Sequence, residues 1–309
     1  MDISLMAIPR RCPHSLRRRK VFGRCSEKLY TPSLDPECAQ RSSLMAIIAA
    51  YNFCNQDFDS FLAGAAAVGF ENVAVGFYAG YYDQPLETMT DEEAEAFLFR
   101  LESHDLRLVA VYARSELTVE GGLDLLRRRL EGAARLGVSI VDTGAVRIPD
   151  EADQDERERM IADFVAQIRD AADHAAELGI TIALETHGGY TGDASACLAA
   201  MEQIDHPEVR LAFDPANFRF YNGADPHERL DELAPFMAHT HYKDHVGPKG
   251  NPEFPRIGEG EVGYDRLLPR LVDLGYEGPH TLERAPGRTN DEIENSMRSA
   301  YRFLSEHLS

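Results

Sequence analysis

The chain has 309 residues, 44% of them hydrophobic, and a formal net charge of −20. That length accommodates one large α/β domain or two ordinary ones, and no apolar run approaches the roughly 18 residues that span a bilayer. The five cysteines (12, 25, 38, 54 and 197) are odd in number and lack a CxxC pair, which argues against a disulfide scaffold or a structural zinc site. Such cysteine usage suits a reducing cytosol, so a cytoplasmic location is expected. Charge is unevenly spread: residues 1–44 hold nine Lys/Arg against four Asp/Glu, and the rest hold 23 against 48. An acidic body opposes nucleic-acid binding, whose affinity comes largely from phosphate contacts.

In chain order, the first 44 residues carry the basic run IPRRCPHSLRRRK, with no apolar stretch of signal-peptide length after it and no periodicity. They read as a disordered or upstream-start extension, with the catalytic domain expected over 45–309. From Met45 onward strand-like and helix-like runs alternate. MAIIAAY (45–51) precedes helix 57–68, NVAVGFY (72–78) precedes 91–104, RLVAVY (107–112) precedes 119–136, and SIVDT (139–143) precedes 154–178. TIALE (181–185) then precedes 194–204, VRLAFD (209–214) precedes 226–234, MAHTHY (237–242) precedes 264–274, and PHTLE (279–283) precedes 290–307. Thr90 ahead of three acidic residues, and Gly137 and Gly179 past helix ends, supply cap chemistry. Such alternation implies right-handed βαβ units and a parallel sheet. Eight units match a (β/α)₈ barrel, although a doubly wound sheet uses the same pattern.

The strand ends are unusually polar. The fifth ends in Glu185, the sixth in Asp214, the seventh carries His241, and the eighth ends in Glu283. A lone carboxylate there is commonly a cap or an ion-pair partner, and a lone histidine commonly sits satisfied in a core. Four together, at the face where a barrel does its chemistry, are harder to assign that way. Three converging carboxylates repel one another unless a cation neutralises them, so one divalent ion is expected. An oxygen-rich set without thiolates favours Mn²⁺, with Mg²⁺, Co²⁺ or Zn²⁺ as the other ions. Such an ion could hold two substrate oxygens and stabilise an enediolate. Glu185 and Glu283, on opposite sides of it, could move a proton.

ALETHGG, FDPANF, THYKDH, IGEGEVGYDRLL and GYEGPHTLER resemble the sugar phosphate isomerase/epimerase family with the xylose-isomerase-like barrel, over roughly residues 45–309. That family includes ketose 3-epimerases, hydroxypyruvate isomerases and inosose dehydratases. The resemblance implies that Glu185, Asp214, His241 and Glu283 bind one divalent metal, and that Glu185 and Glu283 are the catalytic pair of a sugar isomerase or epimerase. Many ketose epimerases have a histidine three residues after the metal aspartate; here Asn217 stands there, and an amide is neither acid nor base. A lyase or dehydratase acting on a keto-sugar, an inosose or an oxidised C-glycoside is therefore the alternative. A non-catalytic sugar-binding barrel is a further one, opposed by the intact quartet. An endonuclease-type DNA-repair activity would need extra histidines, yet the second and third strands end in Phe77-Tyr78 and Tyr112.

Other candidate substrate contacts are His187, two residues past Glu185, Asn217, Lys243, and Tyr78 in the aromatic GFYAGYYDQP loop. His239 is expected as an inward supporting group. Segment 246–261, rich in Gly and Pro, is expected to be a lid, with Arg256 and Glu259 reaching the ligand. The absence of a phosphate-cradling glycine motif points to a neutral sugar. The expected partner is thus a small sugar or sugar derivative, with no nucleic acid and no membrane; family members often pair, so a homo-oligomer is an expectation by analogy.

Overall fold

The computed structural model describes residues 46–309 except 54–55, 78–80 and 150. The basic extension and Tyr78 lie outside the described residues. Eight parallel strands close into a barrel in sequential order: β1 Ile48–Tyr51, β2 Asn72–Gly76, β3 Arg107–Tyr112, β4 Ile140–Gly144, β5 Thr181–Glu185, β6 Val209–Phe213, β7 Met237–Tyr242 and β8 His280–Leu282. β8 pairs with β1, which excludes the doubly wound alternative.

The longer helices are α1 Phe58–Val68, α2 Asp91–Glu102, α3 Gly122–Arg135, α4 Gln154–Leu178 and α5 Ala194–Ile204, followed by short α6 Pro215–Asn217 and α7 Leu230–Leu233, then α8 Tyr264–Asp273 and α9 Asn290–His307. Their starts follow local chemistry. Thr90 and Thr289 form capping boxes with Glu93 and Glu292, each satisfying two backbone donors that a helix start would leave orphaned. The helix expected over 226–234 shrinks to the four residues of α7, preceded by Arg229 in a left-handed conformation.

The strand alternation sorts side chains onto two faces. Outward residues such as Val73, Val111, Val141, Ile182, Leu184, Leu211 and Phe213 pack under the helices as the main core. The register aligns the other set: Tyr51 with Ala74, Ala74 with Ala110, Tyr112 with Asp142, Asp142 with Ala183, Ala212 with His239, and His241 with Thr281. These residues fill the barrel. Alanines on β2, β3, β5 and β6 leave room for tyrosines, histidines and an aspartate, so this interior is polar at the end where the strands finish. Among the described residues no helix is long and apolar enough to cross a membrane.

Candidate metal and active site

Glu185 closes β5, and Asp214 follows β6 directly. Asp214 Oδ1 accepts from the backbone N–H groups of Ala216 and Asn217 at 3.0 and 3.1 Å, capping α6. The cap locks the carboxylate and leaves Oδ2 facing the barrel mouth. Glu283 stands one residue past β8. One oxygen each from Glu185, Asp214 and Glu283 lies within 4.8 Å of the other two, and the first two residues are buried.

Two cations meet this negative cluster. The Lys243 ammonium, one residue past β7, donates to Glu283 Oε2 at 2.5 Å and to Asp214 Oδ2. His241 approaches from below: its Nδ1 is 3.7 Å from Glu185 Oε1 and has no hydrogen bond of its own. Its Nε2 lies 3.1 Å from Asp142 Oδ2. That same oxygen takes His239 Nδ1 at 2.7 Å and the Tyr51 hydroxyl at 3.3 Å, while His239 Nε2 reaches Thr281 Oγ1 at 2.6 Å. A carboxylate can only accept, so Asp142 keeps a proton on His241 Nε2 and leaves Nδ1 as the nitrogen turned towards the carboxylates.

Burial works against charge on Asp142, yet the His239 and His241 imidazoles hold its pKa down, at about 2. Burial likewise opposes charge on His241, but Asp142 and Glu185 raise its pKa well above the ordinary histidine value. Glu185 stays ionised: burial pushes its pKa up, and the neighbouring His187 and His241 imidazoles more than reverse that. Asp214 goes the other way. Burial raises it to about 7 against the pull of Lys243, with Glu283 and Glu185 adding to the rise. The cluster thus holds more negative charge than its two cations neutralise.

These donors fit a divalent ion. Three carboxylates converge, the Nδ1 of His241 faces one of them, none of the four donors is a thiolate, and Lys243 sits among the carboxylates as a monovalent stand-in. A second group of potential ligands, Asp142, His239 and His241, also lies within 4.8 Å. There the histidine nitrogens facing Asp142 are donors to it, so that group supports His241.

His187 lies with Nδ1 3.3 Å from Glu185 Oε1 and Nε2 2.6 Å from the Tyr221 hydroxyl. Asn217 Nδ2 is 3.4 Å from Glu185 Oε1, and the Tyr112 hydroxyl donates to Glu185 Oε2 at 3.1 Å. Above them open two adjoining cavities of about 480 and 520 Å³ that share Tyr112, Arg114, Arg147, Glu185, His187 and Tyr221. The larger also takes Asn217, Lys243 and Glu283, with Phe53, Tyr81, Phe220 and Phe254 as aromatic walls.

Two expected contacts fall elsewhere. Arg256 turns to α9, where its Nε donates to Ser296 Oγ at 3.1 Å, and Glu259 is exposed; neither lines these two cavities. The physical reason is Asp244. Its carboxylate accepts from the backbone N–H groups of His245, Gly258, Gly260 and Val262 at 2.9–3.2 Å, so 258–262 is tied down through its main chain. Gly260 permits that approach, since a Cβ there would stand 2.2 Å from Asp244 Oδ1. Asp142, Tyr221, Arg114 and Arg147 are site residues that sequence reasoning did not single out; only Asp142, a carboxylate inside the apolar run SIVDT, carried a local signal.

A family model described as a xylose isomerase-like TIM barrel matches residues 62–307. The chain belongs to the xylose isomerase-like TIM barrel family. Within it, an uncharacterized protein of Methanocaldococcus jannaschii is 26% identical over 198 residues, 62% of this chain and 63% of that one. A 3-dehydroshikimate dehydratase of Bacillus anthracis is 27% identical over 141 residues, 40% and 49% of the two chains. A probable L-ribulose-5-phosphate 3-epimerase of Mycoplasma pneumoniae is 27% identical over 191 residues, 60% and 59%. The matches therefore span between 49% and 63% of the length of these relatives. Among solved structures, a xylose isomerase domain protein from Planctomyces limnophilus superposes with a TM-score of 0.69 at 22% identity, covering 85% of this chain and 97% of its own. A xylose isomerase-like TIM barrel protein from Mycobacterium smegmatis in complex with magnesium gives 0.66 at 22%, covering 85% and 98%. These structures speak for the fold.

Proposed function

We propose that the protein is a divalent-metal-dependent sugar isomerase or epimerase that moves a proton beside a carbonyl. One observation carries the reading: Glu185, Asp214 and Glu283 converge within 4.8 Å while the unpartnered Nδ1 of His241 faces Glu185. Glu185, Asp214, His241 and Glu283 would hold the ion, and the ion supplies Lewis-acid polarisation of a substrate carbonyl. Mn²⁺ suits this oxygen-rich set, and the magnesium complex of the Mycobacterium smegmatis protein is compatible with a hard cation.

The remaining steps belong to the chain. With the carboxylates engaged as ligands, Lys243 is released to a substrate hydroxyl or carbonyl oxygen. Glu185, ionised at neutral pH, takes the proton from the carbon next to the carbonyl, breaking the C–H bond and leaving an enediolate. Glu283, kept ionised at rest by the Lys243 ammonium, takes up a proton from solvent and returns it to the carbon from the opposite face. His187 and Asn217 bind substrate hydroxyls, and the aromatic walls keep water from the enediolate.

Elimination is a second reading with the same first step, in which the proton passed by Glu283 goes to a β-hydroxyl, which leaves as water, in place of going to carbon. A dehydratase is among the relatives. The test is incubation of Mn²⁺-loaded protein with ketoses and cyclic keto-acids in D₂O, followed by NMR. Deuterium at the carbon beside the carbonyl is expected, with loss of exchange after EDTA. Epimer formation separates the first reading from the second, which yields an enone. Near-normal turnover by an ion-loaded Glu283→Gln variant would overturn the two-glutamate mechanism.

A further inference from the structure

The cationic side of the cavity has no task in proton transfer. Arg114 and Arg147, from the loops after the neighbouring strands β3 and β4, line both cavities. Arg147 is exposed and has no ion-pair partner among the described residues, in a chain where Asp and Glu outnumber Lys and Arg 52 to 32. Arg114 makes a single 2.9 Å pair with Glu116 in which both side chains are about half exposed. Solvent screening makes such a pair weak, so an incoming anion can compete for the guanidinium. Lys243 donates to Asp214 and Glu283 in this structure and is already assigned above to a substrate hydroxyl or carbonyl oxygen, which leaves the two arginines for an anionic group.

The same cavity contains Glu185 and Glu283. An anionic substrate would be repelled by these carboxylates unless its charge were received elsewhere, and two guanidiniums on adjacent loops provide the receiving site. Guanidinium presents two parallel N–H donors, a match for a carboxylate or phosphate and a poor use of charge on a neutral hydroxyl. A glycine-rich phosphate loop is not needed when side chains do this work, so its absence does not bear on substrate charge.

Resting on the proton-transfer reading above, we propose that the substrate carries a carboxylate or phosphate group, and that Arg147 and Arg114 receive it. The carbonyl end is thereby directed to Glu185 and Glu283.

Pairs with and without the anionic group test this: ribulose 5-phosphate against ribulose, and quinate against its methyl ester, titrated calorimetrically into Mn²⁺-loaded protein. At low salt one anionic member is expected to bind about 10- to 100-fold more tightly than its neutral partner. The advantage shrinks as salt screens the exposed guanidiniums. Which pair shows it separates phosphate from carboxylate. In the double variant Arg114→Gln, Arg147→Gln the anionic-to-neutral affinity ratio should fall towards one, with Mn²⁺ stoichiometry as the control for an intact site. Equal affinities within both pairs, or a ratio that survives the double substitution, would overturn the proposal. Deuterium exchange on neutral ketoses without any anion preference would overturn it too, while leaving proton transfer intact. Anion preference without exchange would support the arginine assignment and count against the proton-transfer reading.

Discussion

Replacing Asp142 with Asn isolates what holds His241 in place. The side chain is fully buried, and its Oδ2 takes three donors: His239 Nδ1, His241 Nε2 and the Tyr51 hydroxyl. Oδ1 takes none, so an amide can keep its oxygen at the Oδ2 position with its NH₂ where Oδ1 was. The shape and the Oδ2 contacts survive, the charge is lost, and the new NH₂ is a buried donor without an acceptor. A hydrogen bond to a charged group contributes about 1.5–3 kcal/mol, against about 0.5–1.5 for a neutral one, so each histidine loses about 1–1.5 kcal/mol. For His241 that is roughly tenfold in Mn²⁺ affinity, at the lower edge of the 10–100-fold span typical of groups that orient metal ligands. Stability should fall by about 2–3 kcal/mol over both bonds and by about 1–3 kcal/mol more for the unsatisfied buried NH₂, offset in part because burying a neutral amide costs less than burying a carboxylate. Titration calorimetry with Mn²⁺ alongside thermal unfolding reads both quantities. A variant with a lowered Tm but unchanged Mn²⁺ affinity would refute the orienting role and leave Asp142 as packing.

Other outcomes follow from the same geometry. Glu185→Gln and Glu283→Gln should each lower turnover by about 10²–10⁴, measured at saturating Mn²⁺ to separate loss of a base from loss of a ligand. Mn²⁺ affinity should rise with pH. The raised pKa of His241 keeps it protonated at neutral pH, so binding must displace the Nδ1 proton, and calorimetry in buffers of different ionisation enthalpy should show proton release. Gly260→Ala should destabilise by about 1–3 kcal/mol, since the added methyl meets Asp244 Oδ1 and forces the 258–262 backbone off its anchor; unaltered unfolding would contradict that clamp.

The barrel was legible because each strand is a short apolar run and several helices carry their own caps, so local chemistry and global fold agree. Seven of the strand assignments fall within two residues of the observed ends. Glu185, Asp214, His241 and Glu283 stood out because a charged group at the end of an apolar strand has no bland explanation once it recurs on successive strands. Asp142 did not, although its strand was found, because a single carboxylate in mid-strand gives no hint of which residues across the barrel it faces. Arg256 and Glu259 looked like ligand contacts from their position in a Gly-rich segment. That the segment is fastened through main-chain N–H groups to Asp244 depends on a long-range backbone approach that sequence does not display. Arg114 and Arg147 were missed for a related reason: they sit on loops without periodicity, and only closure of the barrel brings adjacent loops to one cavity.

The central claim is that Glu185, Asp214, His241 and Glu283 form one metal site. Crystals of the protein grown with Mn²⁺, with diffraction recorded where manganese scatters anomalously, test it most directly. One peak is expected about 2.0–2.3 Å from oxygens of the three carboxylates and from His241 Nδ1, with the Lys243 ammonium withdrawn from Asp214 and Glu283. A peak seated instead among Asp142, His239 and His241, or no ordered peak while Lys243 keeps both its carboxylate partners, would contradict it.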